Sequence, residues 1–187
     1  MRSGGRGDRF RGFIRRAESG LILAAALAAA SAHADEPAEC GAATAADIAG
    51  TWKLVEATTT LPDGTTEHPF GDPPAGMFVY TPGGHLSLHV NRNPPPARFE
   101  QRPDDAELGA AARAYIGYYG KWSLAGDKLV HHIEGAMLPN RIGQSADRPF
   151  TVCGGVLELN ITGKDGRRFY RRLERIERFA AGTSANE

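Results

Sequence analysis

From residue 50 onward the chain is cut into short segments in which apolar and polar residues alternate, each bounded by glycine, proline or aspartate. Alternation with a period of two marks strands buried on one face, because successive side chains on a strand point to opposite sides. In "GTWKLVEA" (residues 50–57), Trp52 and Leu54 share one face and Val55 and Ala57 the other. "GMFVYT" and "HLSLHVN" flank a "PGG" turn and read as a hairpin. The series continues through "YYGKWSL", "DKLVHHIEGAM", "RPFTVC", "VLELNIT" and "RRFYRRLERI", separated by "AGD", "LPNRIGQSAD", "GG" and "GKDG". The run "NRNPPPARFEQRP" holds too many prolines for a ladder and reads as a long loop. "DDAELGAAARAYI" (residues 104–116) starts acidic and continues in helix formers, so one short helix is expected there. Short strands at this spacing specify an all-β sandwich or barrel, and eight or so suffice to close an antiparallel barrel around one small ligand.

The alternating region is preceded by a segment of another kind. Six arginines between Arg2 and Arg16 are followed by "LILAAALAAA" and then by "AHA". A basic stretch, an apolar stretch and a small-residue cleavage site form an export signal, expected to occupy residues 1–34 and to leave Asp35 as the first mature residue. The apolar stretch is too short to span a bilayer. Residues 35–47 read as a small-residue linker, residues 48–178 as the domain and residues 179–187 as a disordered tail. The leading segment carries six basic and two acidic residues, so the remaining 153 residues hold 16 basic against 20 acidic, a net charge of −4. That balance implies no nucleic-acid partner, and without the leading segment no membrane insertion is expected. The basic cluster "GRRFYRRLERIER" is interleaved with aromatics and acids and is expected to be a solvated strand face rather than a phosphate-binding stripe. Two cysteines, Cys40 and Cys153, remain after cleavage, and an even count in an exported chain suggests one disulfide. Localisation is accordingly expected to be periplasmic or secreted.

In this order, "GTWKLVEA", "HPFGDPPAGMFVYTPGGHLSLHVNR", "YIGYYGKWSL" and "LVHHIEGAMLPNRIG" with "RPF" behind it resemble the bacterial and fungal lipocalin-like domain family, a calycin-type barrel, over residues 48–178. The resemblance implies a barrel of about eight antiparallel strands that can hold a ligand, without implying one reaction. It also implies that Trp52 plugs one end of the core and that a basic residue of the last strand stacks on it. The match to "RLER" makes that residue Arg175.

The adjacent histidines of "VHHIEG" invite a metal site, but neighbours on a strand point to opposite faces and cannot grip one ion together. His131 falls with Leu129 and Ile133 and is expected inside; His132 falls with Val130 and Glu134 and is expected outside. His85 and His89 share a face but stand roughly 13 Å apart along the strand, too far for one ion. No metal and no cofactor are therefore expected. Ser87, Ser123 and Ser145 lie in no nucleophile elbow, and Asp104 and Asp105 are explained by helix capping. His131 remains, as a hydrogen-bonded core residue or as a polar group meeting a ligand, with Tyr80 or Tyr118 as a partner in proton transfer. "AYIGYYGKW" places Tyr118 and Trp122 on one face, and "LPNRIG" places Asn140 and Arg141 at the barrel rim. The expected ligand contacts are thus Tyr80, Tyr118, Trp122, His131 and Asn140.

The leading expectation is binding of a small, largely apolar molecule inside an exported barrel. The alternatives are a cofactor-independent isomerase or cyclase using His131, and a structural or interaction module whose barrel is filled with side chains. Interior volume separates them.

Overall fold

The computed structural model describes residue 40 and residues 42–179. The expected export signal (residues 1–34), the cleavage site before Asp35 and residues 180–187 of the expected tail lie outside the described residues.

Nine strands follow in sequence: β1 (Gly50–Thr60), β2 (Thr66–Glu67), β3 (Ala75–Tyr80), β4 (His85–Asn91), β5 (Tyr115–Ala125), β6 (Lys128–Ala136), β7 (Ser145–Cys153), β8 (Val156–Thr162) and β9 (Arg168–Glu177). Every strand after β2 pairs antiparallel with the next one along the chain, and β9 returns to pair with β1 over its length, from Thr51↔Glu177 to Thr60↔Arg168. The result is a closed eight-stranded antiparallel barrel, with β2 added as a short hairpin arm on the end of β1. Closure leaves no long free edge, which removes the usual liability of a sheet of alternating apolar residues.

Alternation sorts the side chains as the pleat requires. Trp52, Leu54, Leu129, Leu157 and Leu173 are wholly sealed inside, whereas Tyr119 and Ile176 stay more than half exposed on the outer face. Besides a slip between Thr51 and Trp52, two register shifts bend the wall, one in β1 between Leu54 and Glu56 and one in β5 between Tyr119 and Gly120. The first returns Ala57 to the interior, so the odd-numbered face expected to oppose Trp52 and Leu54 does not persist through β1. At the second, β6 passes so close to Gly120 that any Cβ there would collide with the His132 carbonyl, and only glycine fits. Outside the same wall, the rings of Tyr115 and Tyr119 lie where Cβ atoms of Gly117 and Gly135 would otherwise be.

One end of the barrel is plugged. A single helical turn, α1 (Ala45–Ile48), begins in the stretch expected to be linker and buries Ile48, the first residue of the expected domain, completely. Trp52 Nε1 donates to the Ile48 carbonyl at 2.8 Å, and the Arg175 guanidinium lies 4.3 Å from the Trp52 ring centroid. Arg175 also donates to the carbonyls of Asp47 and Ala49, closing the C-terminal end of α1. The Cys40–Cys153 disulfide ties the segment before α1 to the last residue of β7. The stack of Arg175 on Trp52 and the cysteine pairing are those expected.

The other end is formed by the β1–β2 arm, the proline-rich loop, helix α2 (Asp105–Arg113) and the loop after β6. Asp104 and Glu107 cap α2 reciprocally, each side chain accepting the other's backbone N–H, at 2.8 and 2.9 Å. The helix stops at Arg113, three residues earlier than the sequence pattern suggests. Tyr115 and Ile116 instead pair with Asn91 and Val90 of β4, so sheet pairing overrides the helical pattern at its end. Likewise the loop after β6 ends at Gln144 rather than Asp147, because Ser145 and Ala146 pair with His132 and His131.

Candidate functional site

The plugged half of the barrel is packed with side chains, but the other half opens into a cavity of about 390 Å³. Its wall is largely apolar: Phe70 from the loop before β3, Phe78 from β3, Leu88 from β4, Ile116 from β5 and Ile161 from β8. An interior wholly filled by side chains, one of the expected alternatives, is therefore not what the barrel contains.

Four arginines interrupt the apolar wall: Arg148 of β7, Arg171 of β9, and Arg141 and Arg167 from the loops at the mouth. Arg171 shares its face of β9 with Phe169, Leu173 and Arg175, so the pleat turns it inward; Arg148 shares a face with Ala146 and Phe150 of β7 in the same way. The basic cluster "GRRFYRRLERIER" is thus not simply a solvated face, since Arg171 and Arg175 leave it for the interior. Arg171 Nη1 donates to the carbonyls of Thr58 and Tyr170, at 2.8 and 2.6 Å, and its Cζ lies 5.8 Å from the Phe70 ring centroid. Burial, with a smaller contribution from Arg148, pushes the Arg171 pKa down to about 10, which leaves it charged at neutral pH. Arg171 and Arg148 bring charge from the strands themselves into the site, and reading the histidines, tyrosines and rim residues missed them. Strand alternation through "RFYRRLER" and "SADRPFTVC" was the signal that could have found them.

Behind the cavity wall runs a chain of hydrogen bonds. His131 of β6 is sealed from solvent, with Tyr118 Oη 2.7 Å from its Nδ1 and Tyr80 Oη 3.0 Å from its Nε2. Burial first, then Arg148 and His132, lowers the His131 pKa to about 3, so the ring is neutral and has one N–H to give. The Tyr80 hydroxyl is also buried and, among the described residues, has His131 as its one hydrogen-bond partner. The arrangement that leaves no sealed hydroxyl proton unpaired has Tyr80 donating to Nε2 and Nδ1–H donating to Tyr118. The Tyr118 proton is then left over, and Tyr118 lines the cavity.

Of the residues expected to meet a ligand, the barrel brings Tyr80, Tyr118, Trp122 and His131 together. Tyr80 packs edge-on against Trp122 with centroids 5.7 Å apart, and Trp122 Nε1 donates to the Thr81 carbonyl. Tyr118 alone of these four is among the cavity-lining residues; the other three form a second layer behind it. Asn140 sits in a turn of 3-10 helix, Pro139–Arg141, at the rim, where its neighbour Arg141 lines the cavity. His132 faces outward, between the hydroxyls of Ser123 and Ser145 at 3.1 and 2.9 Å. Among the described residues, no group of three or more His, Cys, Asp or Glu is placed to hold a metal ion, and no helix is long and apolar enough to cross a membrane.

A closed antiparallel barrel plugged at one end and hollow at the other belongs to the class of single-cavity β-barrels. The chain belongs to the lipocalin-like domain family, whose model matches residues 49–171. Among solved structures it is similar to a redesigned β-barrel, mFAP1, bound to DFHBI (20% identity, 70% of this chain and 97% of that one, TM-score 0.35). It is also similar to the fluorescent protein UnaG (17% identity, 71% and 99%, TM-score 0.36) and to an uncharacterized protein from Bacteroides eggerthii (13% identity, 66% and 97%, TM-score 0.38). No curated protein matches the chain.

Proposed function

We propose that the protein is an exported carrier that holds one small, largely apolar molecule in the open half of its barrel. The cavity of about 390 Å³, walled by Phe70, Phe78, Leu88, Ile116 and Ile161, is the observation that carries this reading. Small-molecule sites are concave and combine apolar side chains with placed polar groups, and this wall does both. Tyr118 is the first of the expected contacts to meet the guest, Asn140 meets it at the rim, and His131 acts through Tyr118, with Tyr80 and Trp122 holding the imidazole in place. Burial lowers the His131 pKa to about 3, which makes it a weak base at neutral pH and argues against its serving as the base of an isomerase or cyclase. Export is supported by the leading basic, apolar and small-residue pattern and by the Cys40–Cys153 disulfide, since such bonds persist in oxidising compartments. Native mass spectrometry of protein purified from the periplasm or medium of its own host tests both parts. The expected species begins at Asp35 and carries one co-purifying small molecule; a chain with an intact Met1, or one that never carries a guest, would show the reading to be wrong.

A further inference from the structure

The charge inside the cavity is not explained by an apolar guest. Arg171 and Arg148 project from the strands beside Phe78, Leu88 and Ile116, and the one carboxylate among the residues that line the same space is Glu67, exposed on β2. Arg167 pairs with Asp165 at 3.4 Å. Among the described residues neither Arg171, Arg148 nor Arg141 forms an ion pair. Among the described residues Arg171 is held through Nη1 alone and its Nε and Nη2 find no acceptor, yet neither is sealed. Among the described residues the Arg148 side chain makes one hydrogen bond, from Nη1 to the Asp147 carbonyl at 3.4 Å. Burial and the nearby Arg148 both disfavour the charged Arg171, a cost that an anion joining the two would offset. Long basic side chains can instead cover apolar surface with their stems while their heads reach bulk water. Arg171 does not follow that pattern: two backbone carbonyls and the Phe70 ring hold its head within the wall.

We propose that the cavity selects an apolar molecule bearing a single carboxylate, held between Arg171 and Arg148 with the Tyr118 hydroxyl as a third, uncharged donor. This rests on the carrier reading above and specifies its ligand class. A planar guanidinium offers paired N–H groups that match the two oxygens of a carboxylate, and the free Nε and Nη2 of Arg171 are such a pair. Phe78, Leu88 and Ile116 accommodate the remainder of the molecule, so a fully polar anion would leave that wall wet.

The test uses two probes that differ by one charged group, N-phenyl-1-naphthylamine and its sulfonated form 8-anilinonaphthalene-1-sulfonate, titrated by fluorescence into the purified protein. The sulfonate is expected to bind at least about tenfold more tightly than the neutral amine. Arg148→Gln and Arg171→Gln are each expected to weaken the sulfonate about tenfold while moving the amine less than about twofold. Displacement of the bound sulfonate should need roughly tenfold less 1-naphthylacetate than 1-naphthylacetamide, which differ at the carboxylate. Equal affinity for the two probes, or equal displacement by acid and amide, would overturn the charge assignment while leaving the carrier reading standing. Binding of neither probe would overturn both. Arg148 has a single weak backbone contact, so its variant should fold even if that of Arg171 does not; unchanged sulfonate affinity in folded Arg148→Gln would also overturn the assignment.

Discussion

Two tyrosine hydroxyls bracket the His131 imidazole in a space closed to water, and charging it there is costly. Its pKa is lowered to about 3, against about 6.5 in an unfolded chain. Below pH 6.5 the unfolded state binds a proton that the folded state refuses, so His131's contribution is intact above that pH and is lost as pH falls toward 3. The expected slope between pH 6 and 4 is about 1.4 kcal/mol per pH unit beyond that of a His131→Gln variant. Denaturant unfolding of both proteins across that range measures it, and parallel curves would contradict it. Ligand affinity should depend on the same residue and not on its neighbour. His131→Ala removes the partner that orients Tyr118 and should weaken N-phenyl-1-naphthylamine by about 0.5 to 1.5 kcal/mol. His132→Ala, on the outer face, should leave it within error. A larger loss for His132 would mean that the cavity is not where the guest sits.

Closure of the barrel end is the work of several elements acting on one ring. Trp52 of β1 is covered by α1, hydrogen-bonded to Ile48 and stacked under Arg175 of β9. Arg175 therefore joins the first and last strands and the helical turn that precedes them. A double-mutant cycle of Trp52→Phe and Arg175→Met should return a coupling of about 1 kcal/mol, in addition to the cost of each packing change. Strict additivity would show the stack to be incidental. Elsewhere a single glycine decides how two strands meet. Gly120→Ala places a methyl group against the His132 carbonyl at the β5 register shift, and a shift in thermal midpoint equivalent to about 1 to 3 kcal/mol of destabilisation is expected. Gly126→Ala, at a turn with open space around it but with φ at 62°, should cost only the backbone strain of about 1 to 2 kcal/mol, with no change in the β5–β6 pairing.

Across the whole molecule the longest covalent constraint is the disulfide, which links residues 113 apart in sequence. Chain entropy alone allows it about 4 to 5 kcal/mol of stabilisation. Denaturant midpoints of the native protein and of the Cys40→Ser, Cys153→Ser double variant should differ by up to that amount, and coincident midpoints would show that the plug docks without its tether. The sequence was sufficient for the strand series, for the inward His131 and outward His132, and for the stack of Trp52 with Arg175. The first three of these are local consequences of a period of two, and the stack came from the order of four motifs. Where β1 and β5 slip register, where α2 yields to β5 at Tyr115, and that Ala45–Ile48 forms a plug were decided by pairing and packing with distant segments. The cavity's charge lay between these cases. Alternation turns Arg171 and Arg148 inward, but only closure of β9 onto β1 brings residues from opposite parts of the chain around one space, where neither forms an ion pair with a described residue. Periodicity determines which face of a strand a side chain occupies; what it faces there depends on contacts between residues far apart in sequence, which only the closed barrel creates.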